Sequence, residues 1–218
     1  TKLKTKVISL TGSAGKTTTK ELLSVMLAEK FNTIKTESNN NNHIGVPLTI
    51  LSAGKEAQVL LLEHGTNHFG EIPYTASIAQ PDYAMITNIG HSHLEFFKNK
   101  NGVLKEKYYL LNETAKRGGK VFLNSDDSLL KKFSKNYKKK TSFGFDNKPD
   151  VKGNIIGFNS DGCSITELIV KKKSFIYELP IAGKQGAKNF LSAATIALEM
   201  GITPKQISAA LRKFKNID

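Results

Sequence analysis

Between residues 6 and 27 a short apolar run, a glycine-rich turn and an amphipathic stretch follow one another with no spacer. Lys6–Leu10 reads KVISL, the pattern of a strand buried in a sheet. Thr11-Gly12-Ser13-Ala14-Gly15-Lys16-Thr17 comes next, and Leu22, Leu23, Met26 and Leu27 then mark one face of a helix. Gly12 and Gly15 let the backbone fold tightly enough to aim several N–H groups at one point. The helix N-terminus adds partial positive charge there, and Lys16 adds a full one. Thr17 offers a hydroxyl to a divalent cation. Gly12, Ser13, Ala14, Gly15, Lys16, Thr17 and Thr18 are therefore the candidate phosphate-binding residues. A strict phosphate-loop pattern begins with Gly at position 10, where this chain has Leu. The strand–turn–helix context still predicts the loop.

The rest of the chain repeats the alternation. Strands are expected at Asn32–Lys35, Val59–Glu63, Tyr83–Thr87 and Lys120–Leu123. Helices are expected after Pro47, at Gly70–Ile78, at Asn101–Thr114 and at Ser128–Lys135, and Lys138–Lys140 reads as the end of the last of these. Continuous apolar strands separated by helices imply right-handed crossovers on a mostly parallel α/β sheet. After Asp150 the helical period disappears. Asp161-Gly162 sits between runs rich in Ile, Val, Thr and Phe, a hairpin signal that predicts a small antiparallel β annex at about 151–180. Helices return at Ala187–Met200 and Pro204–Phe214, with Gly201 as the stop between them.

Composition narrows the class. The 218 residues are 39% hydrophobic with 17 Gly, enough to build a core and too many for whole-chain disorder. The single Cys163 can form neither an internal disulfide nor a cysteine-based metal site, which fits a reducing, cytoplasmic setting. The longest strongly apolar run, Val59–Leu62, is too short to span a bilayer, so a soluble protein with no membrane partner is expected. The net charge is +13, and residues 98–152 hold 15 Lys/Arg against six Asp/Glu. Thirty of the 32 basic residues are Lys. Bidentate phosphate and base contacts favour Arg, so the charge reads as surface solvation and no nucleic acid is expected. The chain starts just before a strand without an initiator Met and stops just after a helix, which suggests a domain of a longer protein.

Two further positions carry chemistry. Glu63 closes the Val59–Glu63 strand, where a carboxylate meets ligands at the C-terminal edge of a parallel sheet. It is a candidate Mg²⁺ ligand, with a charge meeting a helix N-terminus as the bland alternative. The next strand ends in Thr87-Asn88-Ile89-Gly90-His91-Ser92-His93-Leu94-Glu95, and His93 is the candidate metal ligand of that segment.

Together with Asn41-Asn42-His43-Ile44-Gly45-Val46-Pro47-Leu48-Thr49, Glu63-His64-Gly65 and Gly70-Glu71-Ile72, these motifs resemble the Mur ligase family's central ATP-binding domain. Within it they are most similar to the MurF type, which adds D-alanyl-D-alanine to UDP-N-acetylmuramoyl-tripeptide in peptidoglycan precursor synthesis. The resemblance runs nearly end to end, and the family's short phosphate loop accounts for Leu10. It implies ATP and Mg²⁺ as cofactors. Lys16 would contact the β/γ-phosphates, while Thr17, Glu63 and His93 would serve the metals. Lys107 matches the family's carbamylated lysine, a CO₂-derived anion that helps hold Mg²⁺. Asn189 would meet adenine, and Asn41 and Asn42 would face the peptide substrate. The implied catalytic set is Lys16, His93 and Lys107. It further implies UDP-binding and C-terminal domains outside these 218 residues, without which the domain is expected to be inactive. The chain departs from the family at Gln185-Gly186 (usually His-Asn), at Tyr109 (usually Glu) and at His91. A folylpolyglutamate or cyanophycin synthetase-like amide ligase, and a non-enzymatic basic scaffold, stay open as alternatives.

Overall fold

The computed structural model describes residues 5–92 and 94–214. Among these residues there are nine strands: β1 (Lys6–Thr11), β2 (Thr33–Lys35), β3 (Val59–Glu63), β4 (Tyr83–Ile86), β5 (Lys120–Asn124), β6 (Lys140–Gly144), β7 (Val151–Phe158), β8 (Cys163–Val170) and β9 (Lys173–Ala182). They form one sheet in the order β2-β3-β1-β4-β5-β6-β7-β8-β9. All pairings from β2 to β7 are parallel, and β7-β8 and β8-β9 are antiparallel. The helices are α1 (Lys16–Leu27), α2 (Gly45–Ser52), α3 (Glu71–Ala79), α4 (Leu94–Phe97), α5 (Lys100–Lys116), α6 (Ser128–Phe133), α7 (Gly183–Glu199) and α8 (Pro204–Lys213).

The apolar strands are buried on both faces because alternate side chains point to opposite helix layers. Ile8, Leu10, Val59, Leu61, Met85 and Phe122 pack under α1, α7 and α8. Ala84, Ile86, Val121 and Leu123 pack against α3, α5 and α6 on the other face, while Leu60 and Leu62 meet Val46 of α2. Among the described residues, no helix is long and apolar enough to cross a membrane.

The chain leaves β1 toward β2 and β3 on one side and continues to β4 on the other. The C-terminal ends of β1, β3 and β4 therefore lie side by side at the point where the winding reverses, the ligand-binding crevice of open α/β sheets.

Three local expectations need adjustment. Lys138–Lys140 does not end a helix: α6 stops at Phe133, a single 3₁₀ turn covers Ser134–Asn136, and Lys140 opens β6. The β6 segment KTSFG carries one large apolar side chain, Phe143, so it has little periodic signal, and pairing with β5 and β7 imposes its conformation. Helix α2 begins at Gly45, before Pro47, because Asn42 Oδ1 accepts from the N–H groups of Ile44 and Gly45. Pro47 is tolerated in the first turn, where a missing N–H costs nothing. The antiparallel strands extend the main sheet instead of folding apart, since Val151, Leu168, Tyr177 and Leu179 share one core with Phe190 and Leu191 of α7. Their hairpin turns at Gly162, at φ 73°.

Candidate functional site

The glycine-rich turn is held from both sides. Thr11 Oγ1 donates to the His64 carbonyl at 2.7 Å, and the Thr87 N–H donates to the Thr11 carbonyl at 2.9 Å. A Cβ on Gly12 would lie 1.8 Å from Thr87 Oγ1, and one on Gly15 (φ 75°) would lie 2.2 Å from Asn189 Oδ1. Both glycines are therefore required by close approach.

The turn divides into an anchoring half and a presenting half. Ser13 N–H donates to the Asn88 carbonyl and Ala14 N–H to Asn88 Oδ1, each at 3.0 Å. The Ala14 carbonyl accepts from Thr87 Oγ1 and Asn88 Nδ2, and Ser13 Oγ accepts from Gly90 N–H at 2.8 Å. By contrast, the N–H groups of Gly15, Lys16, Thr17 and Thr18 meet no acceptor among the described residues. These four donors sit at the start of α1, whose dipole favours an anion. Lys16 Nζ folds back onto the Gly12 carbonyl at 2.8 Å. Burial lowers its pKa from the ordinary lysine range, and the Glu63 charge opposes that shift.

Glu63 stands beside this helix start and is 1% exposed. Its Oε1 accepts from Thr17 Oγ1 at 3.2 Å and from Asn41 Nδ2 at 2.9 Å, while Oε2 is buried without a hydrogen bond among the described residues. Asn41 reaches it because Gly65 leaves room: a Cβ there would lie 2.4 Å from Asn41 Oδ1. Asn42 is occupied instead with capping α2.

A carboxylate next to a hydroxyl, with one oxygen making no hydrogen bond and facing only the Lys20 charge at 3.6 Å, is a fitting donor set for a hard cation. Mg²⁺ is commonly held by one or two carboxylates, with phosphate and water completing its shell. Among the described residues no three His, Cys, Asp or Glu side chains gather into a complete metal cage. His93 lies outside the described residues. His64, next to Glu63 in the Glu63-His64-Gly65 motif, is a core residue. Its ring nitrogens pair with Thr75 Oγ1 and Ser9 Oγ, each at 2.9 Å, and burial drives its pKa down to about 3, so it stays neutral.

Lys107 projects from α5 and is 2% exposed, with no hydrogen-bond acceptor among the described residues. Burial first, and the Lys16 charge second, lower its pKa to about 7, against a smaller opposing pull from Glu106. A substantial neutral fraction at physiological pH follows, and only a neutral amine adds CO₂.

Sequence reasoning missed Glu106. From α5 its buried carboxylate accepts the N–H groups of Gly70 at 3.0 Å and Ile72 at 2.8 Å, capping α3 from a different helix. It thereby locks the Gly70-Glu71-Ile72 segment to the helix that carries Lys107. The only sequence signal was an acidic residue on the helix face that also carries Val103, Leu110 and Lys107. Glu106→Ala should lower the unfolding free energy by about 2–4 kcal/mol, because two buried donors and a helix cap are orphaned together. Urea unfolding of the chain measures this, and a change below 1 kcal/mol would show that water replaces the carboxylate.

On the far side of the turn, Ala14, Thr87, Asn88, Asn124, Lys188 and Asn189 help line a cavity of ≈ 280 Å³. Asn189 Oδ1 accepts from Gln185 Nε2 at 3.0 Å, so the Gln185 departure braces this side chain. Gly186 is packed against Ile181, where a Cβ would lie 2.8 Å from the carbonyl oxygen. Tyr109 and His91 are exposed.

Comparison with known proteins agrees with this geometry. The model of the Mur ligase middle domain matches residues 10–197. The Bacillus subtilis (strain 168) UDP-N-acetylmuramoyl-tripeptide–D-alanyl-D-alanine ligase is 32% identical over 213 residues, covering 98% of this chain and 45% of that relative. The crystal structure of MurF from Acinetobacter baumannii superposes with a TM-score of 0.88 at 33% identity, over 97% of this chain and 46% of that one. MurF ligase from Thermotoga maritima in complex with ADP gives 0.86 at 28% identity, over 99% and 49%. The chain spans about half the length of the curated relatives it matches.

Proposed function

The chain belongs to the Mur ligase family, as its middle domain, and on that premise we propose that it is the ATP-binding domain of a MurF-type ligase. The whole protein would join the terminal carboxylate of UDP-N-acetylmuramoyl-tripeptide to D-alanyl-D-alanine in the cytoplasm, with N-terminal UDP-binding and C-terminal domains flanking residues 1–218. The carboxylate attacks the γ-phosphorus of ATP, ADP leaves, and an acyl phosphate forms. The dipeptide amine then attacks the acyl carbon, inorganic phosphate leaves with the bonding pair, and loss of a proton gives the amide.

The residues take roles that follow from their surroundings. The N–H groups of Gly15–Thr18 and the Lys16 ammonium bind and orient the phosphates, which is electrostatic stabilisation of transferring charge. Thr17 and Glu63 would hold Mg²⁺, with His93 and a carbamate on Lys107 as further ligands. The metal neutralises charge on the phosphoryl oxygens when bound. Asn189 faces adenine in the adjoining cavity, and Asn41 places the substrate-facing loop against Glu63.

The observation that best supports this reading is the meeting of four N–H groups with no acceptor among the described residues, a buried carboxylate with one oxygen lacking a hydrogen bond there, and a lysine biased toward neutrality. A MurF-type relative of known structure carries ADP, and similarity to UDP-N-acetylmuramoyl-tripeptide–D-alanyl-D-alanine ligases favours this substrate over folate or cyanophycin acceptors. The test is turnover by the full-length protein with UDP-N-acetylmuramoyl-tripeptides, D-alanyl-D-alanine and Mg·ATP, followed as ADP release and pentapeptide product. Turnover with a polyglutamate or cyanophycin acceptor only would move the assignment to those ligases. Salt-dependent DNA binding with no nucleotide effect on melting would replace it with a scaffold role.

A further inference from the structure

Two opposite charges in the core of this site face each other without a hydrogen bond. Lys20 on α1 is fully buried, and its Nζ stands 3.6 Å from Glu63 Oε2. Neither atom has a hydrogen-bond partner among the described residues. Lys20 Nζ also lies 3.3 Å from Glu21 Oε1, at an angle that makes no hydrogen bond, and the other Glu21 oxygen is paired with Lys35. Lys35, Glu21, Lys20 and Glu63 thus form a ladder of alternating charge that ends at the phosphate loop.

Helical spacing explains the arrangement. Thr17 and Lys20 are three residues apart on one face of α1, so one hydroxyl and one ammonium meet the two oxygens of a single carboxylate. An ammonium removed from water without hydrogen bonds is costly, and here the offset is charge alone. That arrangement is poor for stability and well suited to holding a carboxylate in place.

We propose that Lys20 is a positioning residue that serves Glu63 as a resident counter-cation. It keeps Oε1 aimed at Thr17 and Asn41, and it weakens capture of a free divalent ion until nucleotide phosphates arrive. A metal approaching Glu63 alone meets a pair of near-zero net charge, whereas one arriving with phosphates meets a strongly negative site. The metal therefore enters together with nucleotide. This rests on the reading of Glu63 as the metal-facing carboxylate.

The probe is Mn²⁺ without nucleotide, with free ion followed by electron paramagnetic resonance on the 218-residue chain. The wild type should bind weakly, Lys20→Met at least about tenfold more tightly as the competing cation is lost, and Lys20→Arg like the wild type. Thermal unfolding supplies a second readout. Lys20→Met should melt earlier in metal-free buffer and recover with Mn²⁺, while wild-type melting stays unchanged by Mn²⁺ alone. If Lys20→Met does not fold without metal, refolding in Mn²⁺ decides: recovery supports the proposal and continued failure overturns it. The double variant Lys20→Met/Glu63→Gln should be more stable than Lys20→Met and should lose the Mn²⁺ response. Equal Mn²⁺ affinity in wild type and Lys20→Met, or a response that survives in the double variant, overturns it. Failure of the nucleotide reading looks different: Mg·ADP would leave every melting curve unchanged while the Mn²⁺ tightening persists.

Discussion

Lys107→Met is expected to make the chain more stable at neutral pH and the full-length ligase inactive. The stability side follows from linkage. Burial and the Lys16 charge lower the Lys107 pKa from 10.5 to about 7. A base whose folded pKa is depressed destabilises the native state while it is charged. That penalty is full below about pH 7 and is relieved as pH rises from about 7 to 10.5, because there the unfolded chain binds the additional proton. At about 1.36 kcal/mol per unit the penalty is on the order of 3–5 kcal/mol, an upper figure once local relaxation is allowed. The variant should therefore gain most at or below neutral pH and lose that advantage by about pH 10. Urea unfolding of both chains across this range cancels the titration of the other lysines. Parallel stability curves would refute the buried-lysine account.

The activity side tests the carbamate. An ammonium at Lys107, next to the Lys16 charge, repels Mg²⁺, whereas a carbamate attracts it, so removal of the side chain should abolish most turnover. Lys107→Ala leaves a cavity, and a small added carboxylic acid should restore part of the rate by standing in for the lost anion. Wild-type turnover by Lys107→Ala would show that the family's modified lysine is elsewhere in this chain or unused.

Lys16→Ala is expected to remove the rise in melting temperature caused by Mg·ADP. The ammonium is the one full positive charge within the phosphate turn, and a charge-assisted contact of this kind is worth about 100-fold in affinity. The chain itself should stay folded, because the Lys16–Gly12 hydrogen bond contributes only about 1 kcal/mol and the buried charge is removed with it. A second effect is specific to this site. The Lys16 charge is one of the causes that lower the Lys107 pKa, so the pH at which the Lys107 amine becomes reactive should move upward in Lys16→Ala. Amine labelling of Lys107 as a function of pH reads this directly. An undiminished nucleotide shift would place phosphate binding away from this turn.

Some elements were legible because their signals are local. The first strand, turn and helix need only near-neighbour patterning and glycine geometry, and Asp161-Gly162 marks its hairpin by the same kind of signal. The strand β6 was not legible, because one phenylalanine in five residues carries no period and neighbouring strands supply its hydrogen bonds. The start of α2 was displaced by a side-chain cap from Asn42, a contact that propensity does not register.

The sequence by itself determined that a phosphate-binding turn lies between a buried strand and a helix, that Glu63 ends a buried strand, and that an antiparallel segment follows a parallel one. Each of these depends on residues within a few positions of one another. Only the tertiary structure decided which groups meet. It assigned the N–H groups of Ser13 and Ala14 to Asn88, leaving those of Gly15–Thr18 without an acceptor among the described residues, and it set His64 in the core as a neutral residue. It also placed Glu106 under α3 and turned Lys20 toward Glu63. In the sequence Lys20 and Lys107 are two lysines among 30. Burial separates them from the rest, because removing an ammonium from water makes its behaviour depend on the few charges within reach, and those charges are brought there by strand order and helix packing.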